Sequence, residues 1–414
     1  LLKALEGIKQ GAYLWFQKNK WAWGKVGCYA EIEEPNLYSH ETLHVLIAVF
    51  ADDCAAGFDK VIREDYLKMR EAYGKLINID SPGPDITVPV TLLVGIDVVM
   101  RDRARRIIRI NQKTYVNKIK RKYGNKITMN TMPFPATKAK REAFERMPKG
   151  TAETEVRKAE YLEGQGEMGW TTMMTYPECA YTHSKLGSHV MHPTQEAHDA
   201  LMYHIGYVVN HIDDYIEYGG KLKKPAGLQE MPTYFEESSG LYVSHDSSWG
   251  KELLPYAGHV VMKSNGAMYW SAAKLKVLAD STCQAETAEA SRALKSLIFA
   301  RTLARVTRRA VMGASYALGD NSASWTIIQK EGSSQKTRWF ERATILVKFA
   351  VLRDIMKPML VKTTLMIADI FTKAVDEETF TFCKRAMRNM AEESVITQRV
   401  RRMRSALARA TSMA

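Results

Sequence analysis

LYVSHDSSWG, residues 241–250, alternates apolar and polar positions and then runs into small polar residues, the pattern of a strand that delivers Asp246 at its C-terminal end. Three later stretches place a carboxylate at a comparable point. STCQAETAEASRALKSLIFARTLARV (281–306) reads as a helix with Glu286 in its first turn. SYALGDNSASW (315–325) reads as a short apolar strand ending on Asp320, with Asn321 or Ser322 able to cap the helix that follows. PMLVKTTLMIADIFTKA (358–374) reads as an edge-like strand followed by a helix opening around Asp369. Clustered carboxylates repel one another and resist burial, so a fold keeps such a group when cations neutralise it. A ligand set of carboxylate oxygens favours Mg2+ or Mn2+ over zinc. Two such ions about 4 Å apart clamp the attacking and leaving oxygens of an in-line phosphoryl displacement. The alternative for any one acid alone is a helix cap or a solvated charge.

The order strand-Asp, helix-Glu, strand-Asp, helix-Asp resembles the ribonuclease H fold, and the surrounding segments resemble the RNase H domain of copia-type retrotransposon polyproteins. There the stretches run approximately YSDADW, SSTEAEY, DNQSA and ADxFTK; here they stand as VSHDSSW, DSTCQAET, GDNSASW and IADIFTKA. The upstream half resembles the same family. LLKALEGIKQGAYLWFQKN (1–19) is similar to its LxxALYGLKQxPRxWY segment, and LHVLIAVFADDCAAGF (43–58) to its LLVYVDDxxIA hairpin. On the residues alone, Leu46 to Phe50 suits a buried strand, Ala51-Asp52-Asp53 a turn, and Cys54 to Phe58 a return strand. LLVGIDVVMRD, RINQKTYVNKIKRKYG and TMPFPA continue the likeness downstream.

The resemblance implies that Asp246, Glu286, Asp320 and Asp369 hold the divalent ions of a ribonuclease H, and that Asp52 and Asp53 are the metal ligands of a polymerase palm. It also implies nucleic-acid contacts at Lys9, Gln10, Lys336 and Arg338. The expected substrates are an RNA/DNA hybrid and an RNA template with a DNA primer. Expected partners are the upstream polyprotein segments: polymerase fingers and the rest of the palm, integrase and protease. An intracellular setting follows by the same likeness, in cytoplasmic virus-like particles and the nucleus. Departures are visible too. Phe50 and Ala51 replace the Tyr and Val of YVDD, and Glu6 stands where the family has an aromatic residue. Gly11-Ala12-Tyr13 replaces small-Pro-Arg, KTRWFER (336–342) lacks the His of KHID, and Gln284 stands for the first Glu of STEAEY. The third palm carboxylate belongs to a motif that precedes this sequence in the family. These departures keep open a catalytically inactive, nucleic-acid-binding relic.

Composition agrees with a nucleic-acid enzyme. The 414 residues carry 59 Lys plus Arg against 46 Asp plus Glu, a net +13 that suits a phosphate backbone, and 46% hydrophobic content is enough for real cores. The five Cys show neither close pairing nor metal spacing, which points to a reducing compartment. No apolar run is long enough to span a bilayer, and nothing resembles a signal peptide. Histidines at 183, 189, 192, 198, 204 and 211 lack the spacing of a compact zinc site.

The expected class is α/β (α+β): a partial polymerase palm and thumb, a helical connection, then an RNase H-like mixed sheet flanked by helices. The expected division is 1–138 for the back part of a reverse transcriptase, 139–239 for linker and connection, 240–382 for the RNase H-like domain, and 383–414 for a basic tail. Within it, helices are expected over Ala12 to Trp23, Asp59 to Leu76, Gln112 to Tyr123, Met168 to His189 and Thr194 to Val209. Strands are expected over Leu92 to Met100 and Arg106 to Ile110, and a linker from Pro133 and Pro135 to about Glu160. Lys118, Lys120, Arg121 and Lys122 either track a duplex backbone or form a solvated helix face. The tail arginines 399, 401, 402 and 404 pose the same choice.

Overall fold

The computed structural model describes residues 9–50, 53–58, 60–77, 91–102, 104–225, 240–249, 254–307, 311–330, 332, 338 and 340–390. The chain divides into two compact units, Leu1–Val98 with Thr302–Arg309, and Val99–Arg301 with Ala310–Ala414.

In the first unit, α1 (Lys9–Lys25) precedes β1 (Cys28–Ala30), β2 (Leu37–His40), β3 (Val45–Phe50) and β4 (Asp53–Phe58), followed by α2 (Arg63–Ile77). The four strands form an antiparallel sheet in chain order. Aromatic residues hold it: Trp23 of α1 stacks on Tyr73 of α2 with ring centres 3.6 Å apart. Tyr66, Met69 and Tyr73 recur at the i, i+3, i+7 spacing that puts one helix face inward. The apolar run of β3 buries one face only, at Val45 and Ile47. The single strand expected from Leu92 to Met100 is instead a hairpin of β5 (Leu92–Leu93) and β6 (Ile96–Asp102). Val94 and Gly95 both take positive φ, 52° and 73°, the conformation a tight hairpin turn requires.

The second unit opens within β6 and continues with β7 (Ile107–Asn111) and α3 (Lys113–Tyr123). α3 turns Val116, Ile119 and Tyr123 inward and its lysines outward. The stretch expected to be a linker is packed structure. Met132 and Phe134 are fully buried, and α4 (Lys138–Glu145) sets Phe144 against Phe134 at 6.3 Å. Its prolines shape a loop that fills the core, so Pro content alone misread it. The helix expected over Met168 to His189 is two, α5 (Lys158–Met174) and α6 (Ala180–Gly187). Pro177 breaks them, opening a short 3-10 turn over Pro177–Cys179. Next come α7 (Gln195–Asn210), capped by Thr194, and β8 (Ile216–Tyr218), which pairs with β7.

The remaining elements form a five-stranded mixed sheet. They are β9 (Tyr242–Ser247), β10 (Tyr256–Lys263), β11 (Gly266–Lys274), α8 (Thr282–Val306), β12 (Ser315–Gly319), α9 (Ser322–Gln329), α10 (Glu341–Leu352), β13 (Met356–Leu360) and α11 (Glu377–Met387). The strand order is β11-β10-β9-β12-β13, with β10 antiparallel to both neighbours and β9, β12 and β13 mutually parallel. That order and polarity define the ribonuclease H fold. Strand alternation feeds two cores. Val243, Val261 and Ala317 face α8, α9 and α10 through Leu294, Leu297, Trp325 and Val347. Tyr242, Val260, Tyr316 and Leu318 face the connection helices, α11 and the 366–371 segment. Among the described residues no helix is long and apolar enough to cross a membrane.

Residues 383–388, grouped with the tail in the sequence reading, finish α11 and its packing. Cys383 and Met387 are buried, and Arg388 is a fully buried cation. Arg388 donates from Nη2 to Glu178 Oε1 at 2.7 Å and from Nε to Oε2 at 3.1 Å, while Tyr207 Oη donates to Oε1 at 2.8 Å. Nearby, Lys384 and Asp214 pair at 2.6 Å. Residues 391–414, with the four tail arginines, lie outside the described residues. Arg388→Met strands Glu178 as an uncompensated buried charge. The expected loss is about 3–5 kcal/mol of stability in chemical denaturation, largely recovered by Arg388→Met with Glu178→Leu. Equal stabilities for parent and single variant would show that the pair contributes nothing.

Candidate metal centre

β9 is central and fully buried even though four of its six residues are polar, and two of these, Asp246 and Ser247, help build the site. Asp246 is the penultimate residue of this strand, Glu286 comes from α8, and Asp320 follows β12 directly. Carboxylate oxygens of all three lie within 4.8 Å of one another. Asp246 and Glu286 are buried and Asp320 is half-buried. Glu286 sits one residue past the first turn of α8, not within it, because the helix begins at Thr282. Ser281 and Gln284 secure that start: Ser281 Oγ accepts from Gln284 N at 3.3 Å, and Gln284 Oε1 accepts from Asp280 N at 2.8 Å. The Gln standing for the family's first Glu therefore ties the chain ahead of the cap to the first turn, in the manner of a capping box shifted by one residue. Asn321, not Ser322, caps α9, accepting from Ser324 N at 2.9 Å.

Ser247 N donates to Glu286 Oε1 at 3.1 Å, and the other carboxylate oxygen, Oε2, is buried without a hydrogen-bond partner. Burial, then the charges of Asp246 and Asp320, push the Glu286 carboxyl well above its ordinary range. A carboxylate oxygen without a hydrogen-bond partner, with two further acids before it and His245 Nδ1 3.7 Å away, is a fitting place for a hard divalent cation, and the three carboxylates match Mg2+ or Mn2+.

The fourth acid is placed differently from the sequence reading. Asp369 lies in a 3-10 turn, Ile367–Phe371, and opens no α-helix. Burial, then Asp246, raises its carboxyl to about 7, against the pull of Lys373. Lys373 Nζ donates to Asp369 Oδ1 at 2.9 Å and stands 3.9 Å from Asp246 Oδ2. Thr372 Oγ1 donates to Asp246 Oδ2 at 2.5 Å. Asp369 thus joins the group through Asp246, with an ammonium between them. Thr372 and Lys373 were missed as site residues, although both lie in the IADIFTKA stretch from which the carboxylate alone was read.

A glycine makes this approach possible. Gly258 of β10 pairs in register with Asp246, and a Cβ there would lie 2.2 Å from Phe371 Cβ and 2.7 Å from Ser271 O. Only a bare backbone lets the Asp369 turn settle on the sheet beside Asp246.

The other expected site residues lie on other elements or outside the described residues. Asp53 opens β4, is exposed, and accepts from Val94 N at 3.0 Å; Asp52 lies outside the described residues. Lys9 and Gln10 begin α1, Lys336 lies outside the described residues, and Arg338 is exposed. On α3, Lys118, Lys120 and Arg121 are exposed, whereas Lys122 is held by Glu163 at 2.5 Å and Glu167 at 2.9 Å. Lys122 is therefore occupied in holding α3 to α5. Among the six histidines, burial depresses His183 to about 4 and His204 to about 3, so both are neutral members of the core.

No family model matches the chain, and no curated protein matches it. Among solved structures it is similar to the ribonuclease H1 of the halophilic archaeon Halobacterium salinarum NRC-1, at 12% identity and a TM-score of 0.25, over 32% of this chain and 93% of that one. The fold rests on the strand order and polarity of the sheet itself.

Gly258→Ala should lower stability by about 1–3 kcal/mol through overpacking against Phe371, as measured by denaturant midpoint. An unchanged midpoint would show that the Asp369 turn is free to stand off the sheet.

Proposed function

We propose that this chain is a divalent-metal-dependent ribonuclease that hydrolyses the RNA strand of an RNA/DNA hybrid, and that it is a piece of a copia-like retroelement polyprotein. The observation that supports this is the convergence of Asp246, Glu286 and Asp320 to within 4.8 Å on a ribonuclease H-type sheet. Those three carboxylates would hold Mg2+ or Mn2+. When bound, the metal supplies Lewis acidity and charge neutralisation to phosphodiester hydrolysis. The chain's own groups do the placing. Thr372 orients Asp246, the Ser247 amide orients Glu286, and Lys373 offsets the charge of Asp369. Hybrid selection would follow from the A-like helix shape and the RNA 2′-hydroxyl, not base sequence.

In this reading, residues 1–138 are the back part of a reverse transcriptase, 139–239 a connection, 240–382 the nuclease domain, and the remainder a tail. Asp52 and Asp53 would be palm ligands for an RNA template and DNA primer. Lys9, Gln10, Lys336, Arg338 and the exposed basic residues of α3 would contact nucleic acid. A relic that binds nucleic acid without cleaving it is the alternative, favoured by the substitutions around Asp52 and in KTRWFER.

Purified protein incubated with labelled hybrid should cleave the RNA strand with Mg2+ or Mn2+, and EDTA should stop it. Asp246→Asn and Asp320→Asn should each lower the rate at least about 100-fold, since a displacement of about 1 Å already costs that much. No cleavage with either metal, or cleavage undiminished in both variants, would favour the relic.

Binding should weaken steeply as salt rises, because neutralised phosphates release counterions. Lys118→Ala, Lys120→Ala and Arg121→Ala should each reduce the log–log salt slope by about 1, whereas the ion-paired Lys122 should not. Slopes identical to the parent would make α3 a merely solvated face.

A further inference from the structure

A second buried polar group lies on α8 beyond the carboxylate cluster. His259 of β10 is almost fully buried; its Nδ1 contacts Glu289 Oε1 at 2.6 Å and its Nε2 contacts Ser296 Oγ at 2.8 Å. Glu289 is completely buried, and its other oxygen accepts from Arg292 Nη1 at 2.7 Å. Arg292 Nη2 in turn donates to Ser271 Oγ of β11 at 3.2 Å. Tyr269 stacks beside the His259 ring at 5.9 Å. Every donor and acceptor here spans α8 and the sheet or braces a group that does.

Ser296, His259 and Glu289 have the connectivity of a hydrolytic triad. Ser296 lies mid-helix, however, where the neighbouring backbone N–H groups are spent within α8 and none remains as an oxyanion donor. A positional role fits better. The α8 face against the sheet carries Leu294 and Leu297 among small side chains, with Ala290, Ala293 and Ala300 all buried. Small side chains define the rotation and axial position of a helix only weakly, whereas a buried polar contact fixes both. Glu289 and Ser296 are two turns apart on one face and grip a single imidazole between them. Glu286 is three residues before Glu289, on the same side of the helix.

The geometry points to His259, Glu289 and Ser296 as positioning residues that fix the register of α8 on the sheet and thereby hold the Glu286 carboxylate beside Asp246 and Asp320. The inference rests on the metal-site reading above. A slip of one residue along α8 moves Glu286 by about 1.5 Å, enough to break the cluster.

The test is Mn2+ titration of the full chain by calorimetry, at a temperature well below unfolding, with the unfolding temperature recorded for each variant. The parent should bind Mn2+, and Glu286→Gln should weaken that binding. His259→Leu should weaken it by about 10- to 100-fold, the usual effect of losing an outer positioning group. Ser296→Ala removes one contact at a half-buried site that tolerates the change, and should shift affinity in the same direction by less. Glu289→Gln keeps the length and one hydrogen bond to His259, so it should stay closest to the parent. If His259→Leu and Ser296→Ala lower the unfolding temperature and leave Mn2+ affinity at the parent value, the network only stabilises the helix and the inference is wrong. If the parent binds no Mn2+ in a Glu286-dependent way, the metal-site reading fails, and the inference with it.

Discussion

Mutual repulsion among three carboxylates crowded within 4.8 Å governs the second unit, because each must be delivered by a separate element and held against its neighbours. A sheet with parallel strands at its centre solves the delivery. β9 and β12 run side by side in the same direction, so Asp246 and Asp320 emerge at the same edge. α8 then lays Glu286 over that edge. What remains is to hold the group still, and three polar contacts serve that end: the Ser247 amide on Glu286, Thr372 on Asp246, Lys373 on Asp369.

The connection helices are continuous with this construction. Trp270 of β11 donates to Thr172 O of α5 at 2.9 Å, and Ala374 N donates to Glu145 of α4 at 3.1 Å. Phe380 of α11 meets both Phe134 and Tyr207 edge-on at 5.8 Å. One hydrophobic core therefore runs from Val116 to Met387. The segment carrying Asp369 is pressed onto the sheet by the same core, through Met366, Ile370 and Phe371.

How much of this was legible in the sequence depended on whether the signal was local. Asp246, Glu286 and Asp320 could be read because each ends or begins a periodic segment, and the strand after Gly240 has its alternation on display. Gln112 to Tyr123 was legible for the same reason, its apolar residues falling on one helical face. Contacts across long separations were not. Nothing in TMPFPA announces that Phe134 is core, since prolines look alike in a linker and in a packed loop. The single run Leu92 to Met100 hid a hairpin because Val-Gly carries a weaker turn signature than Asn-Gly. Gly258 carries no mark in the sequence of Phe371, which packs directly against it. Lys122 reads as a free charge because its partner Glu167 lies 45 residues away in sequence, on α5 beside Glu163.

The Arg388–Glu178 pair joins residues 210 positions apart. During synthesis Glu178 emerges from the ribosome long before its counterion exists, so the connection cannot close round it at its final low dielectric until α11 has been made. Until then the face that α11 covers stays open to water, and closure of the unit waits on its last helix. A ribosome stalled before Arg388 would thus hold a chain whose helices are formed but whose centre is still open, a state for chaperones to recognise.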